Sequence, residues 1–354
     1  MSQLALKYPL LPEMPAKALE YPQLRFMGSK SRLLPWIHEV VSPLEFNSVL
    51  DAFSGSGCVS YLFKTMGKEV VSNDFLKFTH QLAVGAIENP GLKVSDDEIA
   101  LLFEVGHNTN RFITETFSGI FFTPSDLNFL DLVWSNLHKL DSAYKKALVI
   151  SALVRSCVKK QPRGVFTVSG DLSAYNDGRR DLRLSLNEHF LESINIFNNI
   201  VFDNGQNNRA FNGDVFSIEA EVDLVYMDPP YVPQADDNCY VKRYHFLEGL
   251  ATNWEGLELM ESSKVKKLPK RYTPFSYRRS ALEAFDAMFR KFADSTQVLS
   301  YSSNGFPDLS VLVKLMKKYK PIVEVFAKDH RYHFGTHSGV NRAKVQEYLI
   351  LGMS

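Results

Sequence analysis

Ser48-Val49-Leu50-Asp51-Ala52-Phe53-Ser54-Gly55-Ser56-Gly57 joins a short apolar run to a turn containing two glycines, and a helix-compatible segment, Cys58 to Met66, follows it. Strand, glycine-rich turn and helix form the first unit of a doubly wound α/β sheet, in which the turn cradles a nucleotide-like ligand. The usual dinucleotide fingerprint has a third glycine where this chain has Ser60, which disfavours a nicotinamide cofactor. Beyond Gly67, Glu69-Val70-Val71-Ser72-Asn73-Asp74 reads as a second strand ending in an acid. An acid at that position can accept both ribose hydroxyls of an adenosine.

Upstream, Arg25-Phe26-Met27-Gly28-Ser29-Lys30-Ser31-Arg32 precedes a helix-like stretch, Leu33 to Val41. Glycine, serine and lysine ahead of a helix suit a carboxylate or phosphate docking at its amino end, and equally suit a plain cap. Residues 1–20 lack clear periodicity and read as an arm.

Downstream, the strand-glycine-helix pattern is lost between residues 80 and 200. Ser125-Asp126 can cap a helix to about Leu140, a second runs from Ser142 to Lys160, and a third from about Leu184 to Asn199. The sheet resumes at Ala210-Phe211-Asn212-Gly213-Asp214 and continues in Asp223-Leu224-Val225-Tyr226-Met227-Asp228-Pro229-Pro230-Tyr231. There an apolar strand delivers a carboxylate, two prolines and an aromatic ring to the edge of the sheet. The prolines donate no backbone hydrogen bond and fix the chain direction, so the Pro229 carbonyl stands beside the Asp228 carboxylate. Two acceptors and the flat face of Tyr231 suit a planar group bearing an NH2, such as the amino edge of a nucleobase. A proline-terminated strand followed by an ordinary turn is the plainer reading of the same letters. A helix, Ala281 to Ala293, then a strand, Gln297 to Ser303, lead to two last apolar stretches, Ile322 to Ala327 and Val345 to Leu351.

Lys+Arg and Asp+Glu both number 40, so net charge carries no evidence for a polyanionic partner and any such partner needs a local basic face. Three clusters could form one: Lys159, Lys160 and Arg163; Arg179, Arg180 and Arg183; and Lys264, Lys266, Lys267, Lys270 and Arg271. Arg155 and Lys159 share a helix face. Cys58, Cys157 and Cys239 lie far apart, which argues against a disulfide framework or zinc site and fits a reducing cytoplasm. His330, His333 and His337 lack the partners of a metal site apart from Asp329, and no metal is expected. His245 reads as a structural histidine. No run approaches a membrane span, and no export signal is expected.

Asp51-Ala-Phe-Ser-Gly55-Ser-Gly57, then Asp74, then Asp228-Pro-Pro-Tyr231, taken in that order, resemble the Dam-type, alpha-group DNA adenine methyltransferases that use S-adenosylmethionine. The resemblance extends from about Arg25 to Leu351 and is weakest in the helical stretch. It implies a Rossmann-like α/β methyltransferase core, 20–80 and 205–354, whose mostly parallel sheet carries a helical target-recognition insertion, 81–204. It implies that Phe26, Gly28, Lys30, Asp51, Phe53, Ser54, Gly55, Gly57, Asp74, Asp214 and Asp228 form the cofactor site. Lys30 would hold the methionine end, Asp74 the ribose, and Asp214 the neighbourhood of the adenine. The family commonly has Tyr where this chain has Phe26.

The catalytic residues implied are Asp228, Pro229, Pro230 and Tyr231. They would methylate the amino group of an adenine flipped out of duplex DNA, and a restriction endonuclease for the same site would be the partner. Arg155, Lys159, Lys160, Arg163, Arg179, Arg180, Lys266 and Lys267 would contact the DNA. Three rivals stand beside this reading: the cytosine amino group, where relatives more often carry Ser in place of Asp228; RNA as the polymer; and a catalytically silent DNA-binding protein.

Overall fold

Strands β1 (Ser48–Asp51) and β4 (Leu224–Met227) come from opposite sides of the helical stretch, yet they lie parallel and adjacent, with Val49 opposite Leu224 and Asp51 opposite Tyr226. The computed structural model describes residues 12–106, 110–169, 177–232, 239–331 and 344–354, with the side chains at 331 and 344 excepted. Strands β2 (Glu69–Asp74) and β3 (Arg209–Asn212) extend the parallel sheet beyond β1, and β5 (Thr296–Ser302) extends it beyond β4. The antiparallel pair β7 (Lys344–Met353) and β6 (Ile322–Arg331) completes the order β3-β2-β1-β4-β5-β7-β6. Chain order reverses between β1 and β4, and the crevice at the carboxyl ends of such a strand pair is where doubly wound sheets bind ligands.

Period-two alternation divides the core between the two faces of the sheet. Val49, Val70, Leu224, Tyr226, Val298 and Leu349 pack into one apolar cluster. Their neighbours Leu50, Val71, Val225, Met227, Leu299 and Ile350 pack into the other. Helix Arg278–Lys291 lies on the second face through Phe285, Met288 and Phe289.

The first face carries the helical stretch. Helix Ala143–Lys160 starts at the Ser142 side-chain cap, as the sequence predicts, and its backbone at Ala147 and Leu148 would stand 3.3 Å from a methyl group placed on Gly85. Helix Leu186–Ile200 begins with a Ser185–Glu188 capping box. One cap differs from expectation: helix Pro124–Asn136 starts at Thr123, whose hydroxyl accepts the Asp126 amide, with Pro124 in the first turn. Asp126 is instead buried, accepting the Leu186 amide and pairing with Lys160 at 3.6 Å. The apolar cluster runs without a break from Val49 and Leu62 into Leu148 and Phe190. Tyr61 also donates to the Ile200 carbonyl at 2.7 Å.

Helix Tyr240–Leu250 is not marked in the sequence. It is buried from Tyr244 to Leu250, so no polar face gives it a helical period, and Tyr244 interrupts it with non-helical backbone. It leans on helix Lys77–Ala83 through Glu248, whose carboxylate accepts the Lys77 and Phe78 amides; burial pushes that carboxyl up to about 7.

Candidate active site

The loop after β1 is held by backbone bonds to two other strand ends. Ala52 donates to the Tyr226 carbonyl and Ser54 to the Asn73 carbonyl. Asp74 straps it from the side, one carboxylate oxygen accepting the Gly55 amide at 2.8 Å and the other the Leu76 amide at 2.9 Å. Gly55 has φ +48°, and a Cβ there would stand 2.9 Å from the Phe26 ring. Gly57 has φ +80° and faces the Tyr21 hydroxyl, which donates to the Ser56 carbonyl at 2.9 Å. Asp51, beneath the loop, accepts from Ser60 at 2.6 Å, and burial pushes its carboxyl up to about 7.

The segment before helix Leu34–Val41 closes over this loop. Phe26 stacks on Tyr244 with ring centroids 5.1 Å apart, and the Tyr244 hydroxyl accepts the Met27 amide at 2.8 Å. The Lys30 ammonium donates to the Gly28 carbonyl at 3.1 Å and lies 2.8 Å from the Asp228 carboxylate. Burial raises the Asp228 carboxyl above the ordinary carboxylate value, and the Lys30 charge opposes that rise. β4 ends at Met227, one residue before the Asp228 expected from the sequence, so the carboxylate starts the turn. The Tyr231 ring packs edge-on against Tyr301, 5.3 Å between centroids.

These groups surround one cavity of about 320 Å³. Phe26, Gly28, Lys30, Asp51, Phe53, Ser54, Gly55 and Asp74 line it from one side, and Asp228, Pro229, Pro230 and Tyr231 from the other. Gly57 is not in its lining. Asp214 lies off it as well, capping the turn at Val215–Ser217 by accepting the Phe216 amide and lining a separate cavity of about 50 Å³ with Phe53. Two polar atoms of lining residues are buried without a hydrogen-bond partner, Ser54 Oγ and Asn304 Oδ1. Tyr226, Tyr240, Arg243 and Asn304 are lining residues that sequence reading did not assign.

A second, wider cavity of about 680 Å³ adjoins the first, and Phe26, Gly28, Ser29 and Arg243 line both. Of the cations expected to meet DNA, Arg155, Lys159, Arg163 and Arg179 line this cleft, together with Arg25 and Arg32. Lys160, Arg180, Lys266 and Lys267 do not. Lys160 turns inward to the Leu184 carbonyl and Asp126, Arg180 pairs with Glu192, and Lys266 pairs with Glu261 at 2.8 Å. Acids reach into the cleft too: Asp181 lies 2.7 Å from Arg25 and 3.2 Å from Lys159. Arg155 donates to Ser193 at 2.9 Å, and its burial lowers its pKa.

Segment 163–167 forms a wall of the cleft and is tied to helix Tyr240–Leu250. Phe166 donates to the Arg243 carbonyl at 2.8 Å, and the Phe166 carbonyl lies 2.6 Å from His245 Nε2. His245 is fully buried, its pKa lowered to about 4 by desolvation, and it lines neither cavity. His330 lines the cleft, whereas His333 and His337 lie outside the described residues. Among the described residues no three His, Cys, Asp or Glu side chains gather as a metal site.

The doubly wound sheet thus carries a glycine loop at its switch point, where such sheets bind ligands, with an Asp-Pro-Pro-Tyr turn beside it. Residues 26–302 match the family model for D12 class N6 adenine-specific DNA methyltransferases, and the chain belongs to that family. It is similar to the type II methyltransferase M2.HphI of Haemophilus parahaemolyticus, 27% identical over 327 residues that cover 88% of this chain and 93% of that protein. The type II methyltransferase M.FokI of Planomicrobium okeanokoites is 27% identical, covering 80% of this chain and 45% of that protein. The modification methylase StsI of Streptococcus sanguinis is 26% identical, covering 84% and 46%. The chain thus spans about half the length of the latter two.

Proposed function

We propose that the protein transfers the methyl group of S-adenosylmethionine to the amino group of an adenine flipped out of duplex DNA, as the modification enzyme of a type II restriction-modification pair in the cytoplasm. The observation that carries this reading is the single cavity joining the glycine loop to Asp228-Pro229-Pro230-Tyr231, with a wide basic-lined cleft opening beside it. The names of the relatives support the pairing with an endonuclease acting on the same site. Residues 81–204 are read as the target-recognition part.

The lining fits the cofactor. The unpartnered Ser54 hydroxyl awaits a polar ligand, and Gly28 and Gly55, where a Cβ would stand 3.3 Å from the Tyr240 hydroxyl and 2.9 Å from the Phe26 ring, let the two segments of the lining close on each other. Phe26, Gly28, Phe53, Ser54 and Gly55 would hold it, with Asp74 keeping one lone pair on each oxygen for the ribose. Gly57 braces the loop through Tyr21, and Asp214 braces the turn behind Phe53. When bound, S-adenosylmethionine supplies a methyl group on a positively charged sulfur.

The protein's own part is to make a poor nucleophile adequate. The lone pair of an aromatic amino group is delocalised into its ring. Asp228 and the Pro229 carbonyl accept the two amino hydrogens, which favours a pyramidal nitrogen with its lone pair free. Tyr231 stacks on the base, a contact worth roughly 1–3 kcal/mol, against an unstacking cost of a few kcal/mol. Lys30 keeps Asp228 ionised, so the acceptor is in place before the base arrives.

The decisive test is transfer of labelled methyl to unmethylated genomic DNA, with nucleoside analysis of the product. Label on the adenine amino group supports the reading; label on cytosine, or on RNA alone, replaces it.

Two further outcomes are expected. Asp228 is the stronger acceptor when ionised, and burial raises its pKa. Activity therefore falls as pH drops through a midpoint above the ~3.9 of a free aspartate. Lys30→Met removes the opposing charge and moves that acid limb to higher pH; a pH–rate profile that stays put would remove Lys30 from the mechanism.

Arg243 lines both cavities, so on this reading its guanidinium is the cation available to a phosphate beside the flipped base. Arg243→Ala is expected to weaken duplex binding and to lower the slope of log affinity against log salt by about one, the signature of one lost phosphate contact. Binding titrations at several salt concentrations measure it, and an unchanged slope means Arg243 meets no phosphate.

A further inference from the structure

Asn304 follows β5, on the side of β4 away from the glycine loop, and lines the main cavity. Its place is fixed from both flanks. Ser303 donates to the Gln346 carbonyl at 2.8 Å and accepts the Gln346 amide on its hydroxyl at 3.0 Å. Gly305 closes a turn on the Ser302 carbonyl at 3.0 Å, and Phe306 donates to the Val232 carbonyl at 3.1 Å, just past Tyr231.

Contact with the catalytic turn is close. A Cβ on Gly305 would stand 3.0 Å from the Tyr231 ring and 2.7 Å from the Tyr301 hydroxyl, so only glycine lets this turn pack against Tyr231. Within that fixed turn the Asn304 carboxamide oxygen is buried with no hydrogen-bond partner. No hydrogen bond fixes the sense of this carboxamide, so a half-turn about its Cβ–Cγ bond puts the NH2 where the oxygen stands and turns the unpaired acceptor into a donor aimed at a ligand.

We propose, resting on the adenine reading above, that Asn304 is a substrate-binding residue whose carboxamide hydrogen-bonds the edge of the flipped adenine. Asp228 and the Pro229 carbonyl already take both amino hydrogens. The complementary group on that edge is a ring nitrogen flanking the amino group, N1 or N7, which accepts an N–H from the carboxamide. The donor half of the contact is the one asparagine makes to an adenine ring nitrogen in duplex DNA. The bond fixes the base in its own plane, and Tyr231 fixes it across that plane.

The experiment compares wild-type protein and Asn304→Ala on duplexes carrying adenine, 1-deazaadenine or 7-deazaadenine at the target position. On adenine the variant is expected to lose about 10-fold or more in kcat/KM, the effect of one hydrogen bond left unmade in a buried site. On one of the two analogues wild type and variant should methylate equally, because the ring nitrogen that Asn304 addresses is gone. A readout without catalysis accompanies it: affinity for the adenine duplex should fall in the variant, while affinity for a duplex with an abasic target should not. Equal loss on adenine and both analogues, or equal loss of affinity for the abasic duplex, would overturn the proposal and leave Asn304 a structural residue. An active wild type with an unimpaired variant would overturn it too. Wild-type protein that methylates no adenine would overturn the parent reading, and this inference with it.

Discussion

Asp228→Ala is expected to lower methyl transfer by at least about a thousandfold, the upper end of what removing one preorganised polar group costs an active site. It removes the amino-group acceptor, and with it the partner of an ammonium whose side chain is only 6% exposed. Lys30 then keeps a buried ammonium without the carboxylate 2.8 Å from it. Breaking a buried pair from one side costs about 3–5 kcal/mol, so the single variant should also unfold at lower urea. The double variant Lys30→Met with Asp228→Ala separates the two effects. Stability should return toward the wild-type midpoint, because the buried ammonium is removed along with its carboxylate, while transfer stays absent. Recovery of transfer in the double variant would mean that Asp228 acts only by neutralising Lys30.

That ion pair also marks the limit of what could be read from the letters. The glycine loop, Asp74 and the Asp-Pro-Pro-Tyr turn are legible because each is local: a strand, a turn and the residues that must follow it. Sheet order does not follow from them, because no local pattern says that β4 lies beside β1 or that β7 runs antiparallel to β5. Lys30 and Asp228 each stand out in sequence, but their meeting at 2.8 Å depends on the crevice between two halves of the chain.

The cations illustrate the same limit differently. A run such as Arg179-Arg180 has no visible direction, and whether a guanidinium meets solvent or an acid depends on tertiary packing. Arg179 lines the cleft and pairs with Asp177, while its neighbour Arg180 pairs with Glu192 outside it. Helix Tyr240–Leu250 escaped notice for the opposite reason. Buried from Tyr244 to Leu250, it has no polar stripe to reveal its period, and so nothing in the sequence marks Arg243, the residue that lines both cavities.

Gly55→Val should reduce cofactor affinity by about a hundredfold or more, through shape rather than charge. Two constraints meet at this residue. Its φ of +48° is left-handed, a conformation a β-branched residue adopts only with strain. Its missing Cβ would lie 2.9 Å from the Phe26 ring, which cannot retreat freely because it stacks on Tyr244. Valine must push either the ring or the loop. If the loop moves, the Gly55 amide leaves the Asp74 carboxylate, and the strap that aims that acid at the cavity is lost. Calorimetric binding of S-adenosylhomocysteine, the demethylated product, measures the effect without requiring turnover. Adding Phe26→Ala to Gly55→Val removes the clash but not the strain, so it should recover part of the affinity and no more. Undiminished affinity in the single variant would mean that the cofactor does not lie against the glycine loop, and the division of the cavity into a cofactor side and a base side would have to be redrawn.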